Sequence, residues 1–196
     1  MIKSKKINNI ISFLNQKEVK LLLLIGFMVR LILALLYLKV TKVPDSWSFM
    51  TLSEYLLKFD LTDYNGERSP GYPLLIALGL GTMKLTVVYQ FFIGVVTTLF
   101  WYDTLLAFKF SKKHSFWITI LMSSFLCHFF YETSILVETI TLFFISILFW
   151  MLAKNLLESP NRLVLTGVSL FFGYLVLIKP FFVFLPFLIY GLYFLK

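Results

Sequence analysis

Residues 21–40 read LLLLIGFMVRLILALLYLKV, a run of twenty apolar residues interrupted by Arg30. A helix needs about 20 such residues to cross the hydrocarbon core of a bilayer, because its backbone polar groups must be satisfied within the segment itself. Comparable runs follow at 85–108, 115–131, roughly 134–153, 163–178 and 181–195. Lys179-Pro180 separates the last two; Pro180 has no backbone donor and disfavours helix at the residue before it, so a break is expected there. Segment 71–83 (GYPLLIALGLGTM) carries a proline and two internal glycines in 13 residues. It suits a re-entrant or interfacial piece better than a span. The expectation is an all-α polytopic transmembrane helical bundle of about six spans, forming a single membrane domain over residues 1–196.

Composition excludes the competing classes. A water-soluble domain of this size has no use for 23 Phe and 59% hydrophobic residues, since it must keep polar surface towards water. The single Cys127 excludes a disulfide scaffold. A net charge of +8 would suit a nucleic-acid binder, but a mean hydropathy of +0.86 does not.

The excess of positive charge reads instead as topology. With the N-terminus cytoplasmic and 71–83 not crossing, the inner segments 1–20, 109–114 and 154–162 and the last residue hold 11 of the 18 basic residues. The outer segments then hold seven of the ten acids, namely Asp45, Glu54, Asp60, Asp63, Glu67, Glu132 and Glu138. Trp101, Trp117 and Trp150 fall near the inner interface, as an aromatic belt would place them. The basic start followed by an apolar run has the order of a signal peptide. That run is too long for one and no small-residue cleavage site follows, so it reads as an uncleaved first span.

The outer loop 41–84 carries most of the polar information. Phe49, Leu52, Leu56 and Phe59 recur at helical spacing, with Ser53, Glu54 and Lys58 off the stripe, predicting an interfacial amphipathic helix over 46–59. Asp45, just ahead of it, reads either as the helix N-cap or as a functional carboxylate. Asn65-Gly66 is a turn signal, and Arg68 beyond it is a fixed cation suited to phosphate or to lipid headgroups. Glu138 lies about four residues into the fourth span, where a carboxylate is costly unless paired, protonated or facing water. Glu132 reads as a solvated loop charge and His128 as a structural interface group. Arg30, in mid-span, is expected to pair with Asp103, and Lys179 closes the outer end of the fifth span.

In order along the chain stand an Asp-containing amphipathic loop, the stretch ERSPGYPLLIALG, the acid of LVET after the third span, and GYLVLIKP at the end of the fifth. This arrangement resembles the membrane-embedded GT-C glycosyltransferases, in particular the protein-mannosyltransferase and aminoarabinose-transferase-like group, over Leu21 to Phe187. The resemblance implies transfer of a sugar from a polyprenyl-phosphate donor to an acceptor at the outer face of the bacterial inner (plasma) membrane. It implies Asp45 and Glu138 as the catalytic acids. Arg68 would contact phosphate, with Glu67, Lys179 and Glu132 as further substrate-binding positions. A divalent metal shared by Asp45 and Glu138 is a candidate cofactor. Members of the family are longer, so a membrane partner supplying further spans is also expected. The alternative is a membrane subunit that binds carrier lipid without transferring sugar. A transporter fits less well, because no repeat is visible and the acids cluster at the outer face.

Overall fold

The computed structural model describes residues 11–36, 39–154, 162–187 and 191, with the side chains of 162–165 outside that description. Its elements are helical in chain order: α1 (Lys17–Leu36), α2 (Pro44–Lys58), α3 (Gly71–Leu78), α4 (Met83–Ala107), α5 (Lys112–Ser123), α6 (Leu126–Thr133), α7 (Glu138–Ala153) and α8 (Arg162–Ile178), then a 3-10 turn over Pro180–Phe184. The described residues contain no strand; an isolated bridge joins Thr41 to Ser134.

Helix α4 is the axis of the bundle, with α1, α3, α5, α6 and α7 packed around it. Helix α8 seals the far side against α7 and α3, and α2 lies on α3. The chain alternates between two ends. At one, Thr41 N–H donates to Thr133 O (3.0 Å), Ser46 Oγ to Ile135 O (3.1 Å) and Ser69 Oγ to Ile178 O (3.0 Å). At the other, Lys154 reaches Asp103. We refer to the first as the loop end. Its core is Phe49, Met50, Tyr72, Ile76, Ile135, Val137, Ile140 and Ile178.

Two helices, α1 and α4, are long and apolar enough to cross a membrane, and α7 and residues 166–178 of α8 are shorter apolar helices. In a soluble protein such helices would be buried. Here only 17% of the α1 window and 22% of the α4 window is covered. Leu35, Leu36, Phe92, Leu121 and Leu170 are all at least 63% exposed. So much outward apolar surface fits a lipid solvent and would aggregate in water.

Several expected boundaries move. The run 115–131 is not one helix: α5 stops at Ser123, and α6 restarts at Leu126. Neither piece alone reaches spanning length at 1.5 Å rise per residue. The helix expected to start at 134 begins at Glu138, because residues 134–137 engage the loop instead. The run 181–195 begins as the 3-10 turn at Pro180, and its residues 188–190 and 192–195 lie outside the described residues. Segment 71–83 is the eight-residue α3 followed by a turn with positive φ at Leu80 and Gly81. Phe59 does not join the apolar stripe of α2. It takes the left-handed C-cap position (φ 55°) and is 95% exposed, while Phe49 and Leu52 are buried.

Candidate functional site

Helix α2 is not capped by Asp45, one of the two readings its position allows. Val43 is the N-cap residue, and its N–H donates to Ser46 Oγ at 3.0 Å. Asp45, freed from capping in the first turn, points its carboxylate across the loop to Arg68, with Nη2 to Oδ1 at 2.6 Å. Ser48, three residues on and so on the same helix face, accepts from Arg68 Nε at 2.9 Å. The guanidinium also lies over the Phe49 ring, 5.1 Å from its centroid. The loop is shaped to deliver Arg68 there. Asp60 accepts from the N–H and hydroxyl of Thr62, which holds its carboxyl below the usual range. The Tyr64 hydroxyl accepts the Arg68 N–H at 2.7 Å and donates to the Arg68 carbonyl.

A second pair lies at the same end of the bundle. Lys179 Nζ meets Glu138 Oε1 at 3.1 Å, while Glu138 Oε2 is buried without a partner. The two pairs are tied through the backbone. Ser69, next to Arg68, bonds the carbonyl of Ile178, next to Lys179. Gly71 presses directly on that strip: a Cβ there would lie 2.5 Å from backbone atoms of Leu177 and Ile178, so no larger residue fits. The Tyr174 hydroxyl donates to Gly71 O at 2.8 Å. Asp45, Arg68, Glu138 and Lys179, scattered over 135 positions of sequence, thus share the loop end.

Glu67 lies on the exposed side of the loop. It lines a pocket of about 200 Å³ with Ser48, Thr51, Tyr55, Asp63 and Arg68. Hydroxyls, carboxylates and aromatic rings around a space of this size can hold a polyhydroxylated ligand. For a metal the donor set is poor. The described residues gather no group of three or more His, Cys, Asp or Glu side chains, and Asp45 and Glu138 each already hold a cation.

Glu132 is not a solvated loop charge. It is 3% exposed and binds Arg30, Nη2 to Oε1 at 2.5 Å. The cause is the break after Ser123, which lets α6 fold against α4 and turns Glu132 inward, away from the loop-end surface. Arg30 therefore does not pair with Asp103. It faces Gly94 of α4, and Asp103 is nine residues further along that helix, about 13 Å at 1.5 Å per residue. Asp103 instead accepts from Trp150 Nε1 (2.7 Å) and Lys154 Nζ (3.0 Å) at the opposite end. His128 lines a pocket beside Glu132.

Gln90 carries a role that no motif signalled. Its carboxamide accepts from Tyr72 Oη (2.6 Å) and donates to the carbonyls of Glu132 (2.9 Å) and Ser134 (2.7 Å). It thereby holds the α6–α7 link that presents both Glu132 and Glu138. A lone amide in an apolar run was the available sign, since a buried amide needs partners.

Fold and site together define an all-helical, membrane-associated protein with a charged cluster at one end of the bundle. The chain matches no family model, no curated protein and no solved structure.

Proposed function

We propose that the loop end is the reaction site of a lipid-linked sugar transferase of the GT-C kind, carried by a multi-pass protein of the bacterial inner membrane. The carrying observation is that Arg68 and Lys179, each held by a carboxylate, are brought to the same end by the Ser69–Ile178 hydrogen bond between their chain neighbours, and that Arg68 also lines a hydroxyl-rich pocket. Transfer of a sugar from a polyprenyl phosphate breaks the bond between the anomeric carbon and phosphate oxygen, and the electron pair stays on the phosphate. Two cations stabilise that leaving group. The acceptor hydroxyl forms the new bond to the anomeric carbon and gives its proton to a carboxylate within reach. Ser48, Asp63 and Glu67 supply partners for sugar hydroxyls.

The pairing of acids with cations suits an ordered reaction. A donor phosphate that takes the Arg68 and Lys179 donors leaves Asp45 and Glu138 uncompensated, so the base appears when the donor is bound. The same pairing supports a second reading, a subunit that binds carrier lipid without transfer, because each carboxylate is already held by a cation.

Sugar transfer from polyprenyl-phosphate donors in membranes containing the full chain separates the two. The transferase reading expects turnover by wild type and loss of at least about 100-fold in Asp45→Asn or Glu138→Gln at normal expression. Binding of polyprenyl phosphate by wild type with no turnover of any donor sinks it and leaves the carrier-lipid reading.

A further inference from the structure

The Arg30–Glu132 pair is incompletely satisfied. Arg30 Nη1 donates to Gly26 O at 3.0 Å and Nη2 to Glu132, but Nε has no partner; nor has Glu132 Oε2 or Thr139 Oγ1. The three residues are 5%, 3% and 4% exposed. Leaving such atoms bare inside a helical bundle is costly, above all for a carboxylate oxygen. All three residues line one partly open pocket of about 30 Å³, whose wall also includes Ser123 and His128 on its polar side and Trp101 and Leu142 on its apolar side. A space of that size takes one water, or two at most, and a water is stable where it meets two to four polar groups. A cation suits it less well, because the guanidinium already occupies the only carboxylate in the wall.

We propose that this cavity is a bound-water site, in which an ordered water donates to Glu132 Oε2 and bridges it to Arg30 Nε and Thr139 Oγ1. The ion pair at the centre of the bundle is then a hydrated one. The water completes the link between α1, α6 and the start of α7, the three elements that contribute Arg30, Glu132 and Thr139. The site stands independently of any reaction at the loop end.

Thr139 distinguishes a wet cavity from a dry one by the sign of the effect. In the full chain in detergent, the isosteric Thr139→Val takes a partner from the water, and the melting temperature falls by about 2–4 °C, while Thr139→Ser stays close to wild type. A dry cavity predicts the reverse, since Val then removes an unpaired buried hydroxyl. An unchanged or higher melting temperature in Thr139→Val overturns the proposal. Radiolytic labelling in oxygen-18 water reads the water directly. Met122 lines the pocket and is itself half-buried, so the change between chains is what reads the water: Met122 is expected to label more slowly in Thr139→Val than in wild type. Labelling of Met122 at the same rate in both chains overturns the proposal, and so does an absence of Met122 labelling in wild type, which is read even if the variant fails to fold.

Discussion

Two kinds of ion pair occur in this bundle, and they differ chiefly in their water. At the loop end, the Asp45 and Arg68 side chains are 53% and 31% exposed, and Glu138 and Lys179 are 30% and 36% exposed. In the interior, Arg30 and Glu132 are 6% and 4% exposed. A half-exposed pair contributes about 0–1 kcal/mol and exchanges partners readily. A buried pair is close to neutral against an apolar replacement of both members, yet costly to break from one side. The interior pair therefore locks helices together, whereas the loop-end pairs are free to yield to a ligand.

The contrast is sharpest if the interior pair is cut. Glu132→Leu strands the Arg30 guanidinium among apolar side chains and is expected to cost about 3–5 kcal/mol. Arg30→Met with Glu132→Leu together should restore most of that loss. Chemical unfolding in detergent measures both; a single variant as stable as wild type would place the pair outside the folding energetics. Gly94→Ala comes next. Its new Cβ would meet the Glu132 carboxylate and the Arg30 guanidinium within 3 Å, and overpacking of this kind costs about 1–3 kcal/mol. The penalty should shrink in a Glu132→Ala background, a coupling readable in a double-mutant cycle. The smallest effect on stability is expected at Asp45→Asn, below about 1 kcal/mol. A large loss of stability there would make the loop-end pair structural and remove its claim to be a ligand site.

The parts of this architecture legible in the sequence are those governed by length and periodicity. The apolar runs at 21–40 and 85–108 became α1 and α4, because twenty apolar residues leave a backbone little choice. The helix across 46–59 was equally visible from its spacing. The break of the third run was not, since Ser123-Ser124-Phe125 carries no proline or glycine and the turn depends on α6 finding Arg30 and Gln90. Partner choice was the least legible feature. Polarity alone matches Arg30 to Asp103, but pairing in a bundle depends on height along the neighbouring helix. For the same reason Glu132, assigned to water by its place in the chain, ended inside. Asp45 and Arg68 were singled out by residue type and loop position; that they bind each other depends on the fold of 59–70.

The tether between Ser69 and Ile178 joins positions 109 residues apart. Ribosomes add about 5–20 residues each second, so Ser69 emerges roughly 5–20 s before the carbonyl it will bind. Until then Gly71 has no α8 backbone to press against, and Glu138 has no Lys179. Arg68 can settle on Asp45 early, but the second cation arrives only with the end of α8. The loop end is thus completed only after nearly all of the described chain has been made, and a ribosome that stalls before Lys179 leaves a bundle with its charged cluster half built.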